Sequence, residues 1–373
     1  MKCSISNIAN VISESIPNPA ESGFDIFVGL EHYDSGEVKI TRYGSTQNLV
    51  TAVKVFRKGD ILLARRNVYL KRAGLVDFDG VTSGDSIVLR VKDNLSSLTL
   101  QSEDIRMYLP FVLNTEEFWN YAEKYSDGTM SKRLSPKTLL QYEFDIPDDV
   151  TEKNRLLWQA YKTKESYKAM ILATDEMVKS QFIEMFGGSD YPKYPLGNLC
   201  KILAGKTLPF DVENEGGPIA YIKVADMNLP ENDRVVTTST RNVTEETAII
   251  SGILPIGATV FPKNGAAALH NKKRITAITT CVDMNTMGVY STSDALDPEF
   301  LYAFLVHQDV ASLTLTGAIP QIRPKDIAAL EIPLPPLERQ RGYIRMVGQA
   351  DKSKFELKQA IEKIDKVMRA LMQ

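Results

Sequence analysis

The sequence predicts an α+β protein assembled as a tandem repeat, in the order domain, helix, domain, helix. Two ladders and the stretches before them carry that prediction. After Glu331-Ile-Pro-Leu-Pro-Pro-Leu-Glu-Arg-Gln the chain runs to Gln373 without another proline. Its apolar positions there step by four and three: Tyr343, Val347, Ala350, Lys354, Leu357, Ile361, Ile364, Met368 and Leu371. Four heptads of that spacing specify a coiled-coil helix. A second ladder follows Asp145-Ile-Pro-Asp-Asp-Val-Thr-Glu: Leu157, Tyr161, Lys164, Lys168, Ile171, Asp175, Val178, Phe182 and Met185. Lys168 and Lys354 even occupy matching seam positions. An Ile-Pro pause before a long helix thus occurs twice, which sets the expected divisions at 1–147, 148–187, 188–335 and 336–373.

The remaining elements recur in the same order. Ser4–Ser15 is a short amphipathic opening echoed by Leu196–Gly205, with Asn7 matching Asn198. The strand-like run Phe24–Leu30 has its counterpart in Ile219–Val224. Lys58-Gly-Asp-Ile-Leu-Leu-Ala-Arg is a turn feeding a buried strand, and Pro255-Ile-Gly-Ala-Thr-Val-Phe-Pro-Lys repeats it. Gly74–Leu89 and Ile275–Tyr290 alternate turns with β-branched runs. Tyr108–Glu123 and Glu299–Ser312 each predict one apolar-faced helix, with Phe118/Trp119 and Phe300/Tyr302 on them. Gly128-Thr-Met-Ser-Lys-Arg-Leu-Ser-Pro-Lys and Gly317-Ala-Ile-Pro-Gln-Ile-Arg-Pro-Lys then lead to the pauses. On that spacing Lys132 and Arg133 match Gln321 and Arg323.

Composition narrows the class. At 373 residues and 43% hydrophobic, the chain supports about two domains with real cores. Cys3, Cys200 and Cys281 form neither a disulfide frame nor a zinc knuckle. No stretch reaches the roughly 18 apolar residues of a membrane span, and residues 1–16 do not resemble a signal peptide. The expected location is therefore the cytoplasm. A net charge of −3 excludes a general nucleic-acid coat. Local charge tells a different story, because Arg57–Arg72 holds six basic residues against one acidic. Lys263–Arg274 holds four basic residues, no acidic one, and His270. A polyanion would be met at a few concentrated places.

Catalytic patterns are missing. Cys200-Lys-Ile-Leu-Ala-Gly-Lys-Thr ends like a phosphate loop, but Cys200 stands where the first glycine is needed. No G-x-G-x-x-G, H-E-x-x-H, G-x-S-x-G or Asn/Asp-Pro-Pro-aromatic tetrad occurs. His32, His270 and His307 are too scattered for a metal site, so none is expected. Asp77, Asp79 and Asp85 have the spacing of turn formers rather than of a nuclease centre.

In GDILLARRNVYLKRAGLVDFDGVTSGDSIVL (59–89), GAIPQIRPKDIAALEIPLPPLERQ (317–340) and the closing heptads, the chain resembles the specificity subunits of type I restriction–modification enzymes. The first pause departs from the pattern, since FDIPDDVTEKN lacks the later prolines and the Glu-Arg-Gln. The resemblance implies two α/β target recognition domains, each reading one half of a split asymmetric DNA sequence. It also implies two long helices pairing as an antiparallel coiled coil, where two modification (methyltransferase) subunits dock, with restriction subunits in complexes that cleave. S-adenosylmethionine would then belong to the methyltransferase partner, and ATP and Mg to the restriction partner, leaving no cofactor in this chain. A helix of about 35 residues spans roughly 50 Å, compatible with half-sites recurring every 34–36 Å on B-DNA.

The basic loops are then the expected DNA contacts. In the first domain Arg65, Arg66, Lys71 and Arg72 surround Tyr69, and Asn67 is placed to pair with adenine. In the second, Lys263, Asn264, His270, Asn271, Lys272, Lys273 and Arg274 occupy the equivalent loop. Lys132, Arg133, Gln321 and Arg323 are the next candidates. Two other readings fit the same residues: a coiled-coil scaffold whose two heads bind protein or another ligand, and the specificity subunit of a modification-only system.

Overall fold

The computed structural model describes the chain except residues 20–22, 99, 130, 189–190, 315–319 and 373, together with the side chain of Ser97. Two compact units emerge. One joins Met1–Tyr167 to Gln359–Gln373, and the other is Lys168–Lys358.

In the first unit an antiparallel four-stranded sheet runs in the order Ala9–Ile12, Ser86–Val91, Ile61–Ala64, Ala73–Leu75. The run Ile61-Leu-Leu-Ala is buried on both faces, as an uninterrupted apolar segment requires. Its entry turn is fixed by Gly59 at φ 89° and by the buried Asp60 carboxylate. That carboxylate accepts Arg57 N at 2.8 Å and both arms of the Arg90 guanidinium at 2.7 Å. A five-stranded sheet adds one parallel pair, Ile26–Val28 beside Gly80–Ser83. The expected helix over 108–123 is two helices, Ser102–Val112 and Glu116–Lys124. Thr115 makes the break, because its hydroxyl caps the second helix by accepting Phe118 N at 3.2 Å.

The second unit repeats the plan. Cys200–Ala204, Thr286–Ser291, Thr259–Pro262, Arg274–Thr276 and Val235–Val236 form one sheet in that order. Ile219–Ile222 lies parallel to Thr280–Val282 in a second. Helix Pro298–His307 starts on Asp297, whose carboxylate accepts Glu299 N, and it stops before the expected Ser312. A 3-10 turn, Val310–Leu313, follows. The opening motif recurs with Asn7 and Asn198 in register. Ile5 N donates to Tyr142 O at 3.0 Å in one unit, and Leu196 N to Leu330 O at 2.8 Å in the other.

The ladders form two helices, Val150–Phe186 of 37 residues and Leu337–Met372 of 36. Within the second unit Lys354 Nζ meets Asp175 at 2.7 Å, and the Tyr343 hydroxyl donates to Val178 O at 3.1 Å. Residue numbers rise on one helix as they fall on the other, so the pair is antiparallel. Tyr343 is fully buried among Phe182, Phe186 and Phe300. In the first unit Lys164 Nζ lies 2.9 Å from Asp365, and Met368, Leu371 and Met372 pack on the core that holds Leu157 and Tyr161. No helix among the described residues is long and apolar enough to cross a membrane.

Candidate nucleic-acid interface

Each head presents a loop that leaves the central strand of its main sheet, and a second segment is hydrogen-bonded across it. In the first unit Arg65 N donates to Asp85 O, Leu134 N to Arg65 O and Asn67 N to Lys132 O, all at 2.9 Å. Arg66 and Arg133 thereby face one another as an antiparallel bridge. In the second unit Lys263 N donates to Asn285 O at 2.7 Å. Ile322 N donates to Lys263 O, and Gly265 N to Pro320 O, at 2.8 Å. Asn264 and Gln321 form the equivalent bridge. Both places carry a positive φ, 56° at Asn67 and 70° at Gly265, although ψ differs, 57° against −168°.

This register corrects one expected match. Gln321 stands where Arg133 stands, but Arg323 takes the place of Ser135, the residue preceding a short Pro-initiated helix in each unit. Its guanidinium is closed on Asp326 at 2.7 and 2.9 Å. Gly317, from which the spacing was counted, lies outside the described residues.

In the first head the cations converge. Arg66 and Arg133 each lie 3.7 Å from the single carboxylate of Asp85. Arg65 is in the next position, and its Nε has no hydrogen-bond partner among the described residues. Lys54, which the sequence reading missed, donates to Gly84 O at 3.0 Å and Ser86 O at 2.7 Å. Burial lowers the pKa of its ammonium, and the charge of Arg65 adds to the effect. Arg66, Arg133 and Lys54 therefore share one carboxylate, with Arg65 next to Lys54. Arg66 Nε also donates to Ser131 Oγ at 3.0 Å, whose hydroxyl donates to Asn67 Oδ1 at 3.0 Å. Tyr69 projects at the loop apex, 59% exposed. Lys71 is tied to Glu116 at 2.6 Å, Lys132 donates to Glu123 O at 3.2 Å, and Arg72 braces the loop through Leu30 O at 2.9 Å.

The second loop divides its basic run. Lys273 points inward, contrary to its assignment as a surface contact. Its ammonium donates to Asn271 Oδ1 at 2.6 Å, Asn271 O at 3.3 Å and Gln308 O at 3.0 Å. Burial lowers its pKa to about 8. Arg274 donates to Asn232 O at 2.6 Å and Lys273 O at 2.9 Å, and Asn271 Oδ1 also accepts Val310 N, so both brace the loop. Lys263 is buried too, with its pKa lowered by desolvation. His270 is exposed, Lys272 meets Asn228, and Gln321 is exposed with no side-chain hydrogen bond among the described residues.

The three aspartates of 77–85 are separated by their partners. Asp77 pairs with Lys39 at 2.6 Å, Asp79 accepts Lys58 N at 2.7 Å, and Asp85 serves the arginines. Among the described residues no group of three or more His, Cys, Asp or Glu side chains is arranged to hold a metal.

Comparison with known proteins points the same way. Residues 188–366 match the family model described as the type I restriction modification DNA specificity domain. A type I restriction enzyme specificity subunit of Methanocaldococcus jannaschii is 25% identical over 194 residues, 49% of this chain. That match spans 42% of the archaeal protein, less than half its length. A solved chain from a study of complex assembly and conformational transition in the type I R-M system superposes with a TM-score of 0.59 at 18% identity. It is covered over 96% of its length and this chain over 100%. The S subunit of a type I restriction–modification system from M. genitalium gives a TM-score of 0.52 at 13% identity, covering 100% of this chain and 94% of that one. At these identities the likeness is one of fold.

Proposed function

We propose that this chain, whose residues 188–366 match the type I restriction modification DNA specificity domain and whose fold is that of type I specificity subunits, is the DNA-reading subunit of such a complex. Each head reads one half of a bipartite asymmetric duplex target, and the paired helices dock two methyltransferase subunits, with restriction subunits joining in complexes that cleave. The observation that carries the reading is the first head's loop, where Arg66, Arg133 and Lys54 gather at Asp85 and Arg65 lies beside Lys54. Such an excess of positive charge on a braced loop suits phosphate and base edges. The helices add a second support. Met170 and Met177 are exposed on one face of the first helix and Leu172 and Ile183 on the opposite one, apolar side chains that a protein partner could cover. The chemistry belongs to the partners, with S-adenosylmethionine in the methyltransferase and ATP with Mg in the restriction subunit. Electrophoretic shift of duplex DNA tests the proposal. Binding should be selective for sequence and should weaken steeply with salt. Exchanging residues 1–147 for those of a relative should change one half of the target only. Salt-insensitive, sequence-blind retention would point instead to a protein-binding scaffold.

A further inference from the structure

The two heads hold chemically different side chains on the same backbone frame. The bridged pair is Arg66 and Arg133 in the first and Asn264 and Gln321 in the second. A third position changes with them. The residue whose carbonyl accepts the first loop amide is Asp85 in one head and Asn285 in the other. A carboxylate therefore stands where two guanidiniums need a counter-charge, and a carboxamide stands where they are absent.

The side chains are available for reading. Arg66 and Arg133 are 44% and 49% exposed. Asp85 lies 3.7 Å from each, which orients the two cations without closing a hydrogen bond on either. In the second head the Gln321 amide projects outward with no partner among the described residues. Asn264 is not presented in the same way: it donates Nδ2 to Met284 O at 2.9 Å and its Oδ1 is buried, so it holds the loop beneath Gln321. A guanidinium offers only donors, in a fork matching the O6 and N7 acceptors of guanine. A carboxamide offers one donor and one acceptor, matching N7 and the N6 amino group of adenine.

We propose that the first head reads guanine through Arg133 with Arg66, and that the second reads adenine through Gln321, with Asn264 bracing the loop beneath it. The assignment rests on the DNA-reading function above and adds which base each loop selects.

The test is selection from a random-sequence duplex pool by the full chain, followed by sequencing. One variant converts the first loop to the second's chemistry: Arg66→Asn, Arg133→Gln and Asp85→Asn together. It should replace a G·C pair by A·T at one or two adjacent positions in one half-target and leave the other half unchanged. The switch in preference should be about tenfold or more, the discrimination of one bidentate pair. Gln321→Ala removes an exposed side chain without disturbing the fold. It should lose the adenine preference at one position of the other half. Two results overturn the assignment while leaving DNA binding standing: the same target selected by the triple variant, or an equal loss of affinity on every sequence. If the unaltered chain selects no sequence and shows no salt dependence, the DNA reading fails, and this inference with it.

Discussion

Replacing Arg65 and Arg66 with alanine should flatten the salt dependence of duplex binding and leave the fold intact. Lys54 is engaged by the carbonyls of Gly84 and Ser86, so the guanidiniums of this loop carry the attraction for the phosphates that flank the bases it reads. Each phosphate contact contributes about 0.9 to the slope of log affinity against log salt, so the double variant should lose about 1.8. Over a fourfold rise from about 50 to 200 mM salt, the parent should therefore lose about tenfold more affinity than the variant. Arg66→Ala alone should account for about threefold. The Arg66 side chain is 44% exposed, so its removal should shift stability by no more than about 0.5 kcal/mol. Fluorescence anisotropy of a labelled duplex across the salt range measures the slope, and thermal melting in parallel checks the fold. Equal slopes and equal affinities in parent and double variant would show that this loop faces away from DNA.

Three further expectations follow from buried groups and missing motifs. Burial, helped by the charges of Lys179 and Lys273, pushes the pKa of His307 down to about 4. Its imidazole meets the Tyr343 hydroxyl at 2.8 Å. The unfolded chain takes up a proton near pH 6.5 that the folded chain refuses. The stability held above pH 6.5 should thus drain away as pH falls toward 4, by about 2 kcal/mol after allowance for partial exposure. Urea titrations at both ends of that range should show a smaller acid loss in His307→Phe, and an undiminished loss would acquit the histidine. Lys273→Met strands the carbonyls of Asn271 and Gln308 and should cost about 1–3 kcal/mol, with the salt slope for DNA unchanged. A shallower slope would put Lys273 back on the DNA. The purified chain should neither hydrolyse ATP nor transfer methyl groups from S-adenosylmethionine, and methylated DNA in a reaction lacking partners would refute the assignment of chemistry to them.

The long helices were legible because seam positions repeat at a fixed step. Lys354, Leu357, Ile361 and Ile364 are half-buried while Phe355, Glu356 and Lys358 are exposed, as the ladder requires. The opening motif was legible for a similar reason, its apolar residues Ile5, Ile8 and Leu196 being spaced by local geometry. What escaped depends on residues far apart in sequence. The apolar pattern runs on from Phe111 to Trp119 through the break that Thr115 imposes, so hydrophobicity alone shows one helix. Nothing within the stretch NKKR at 271–274 tells which lysine turns inward, because one acceptor that holds Lys273, the carbonyl of Gln308, lies far along the chain. Lys54 and Asp85 join the first loop only through strand pairing across the sheets. Arg323 was misplaced because spacing was counted along the chain, whereas the bridge between Asn264 and Gln321 fixes the register.

The core of the first unit is finished by Met368, Leu371 and Met372, which pack with Leu157 and Tyr161. During synthesis these closing residues leave the ribosome only after the whole of Lys168–Lys358. About 190 residues separate the two segments of that unit, a delay of roughly 10–40 s at 5–20 residues per second. The nascent first head must wait with part of its apolar surface open to solvent or chaperones, whereas Lys168–Lys358 is complete before those residues exist. The head translated first is thus the one completed last, and a premature stop near Ile364 would injure the amino-terminal half of the protein.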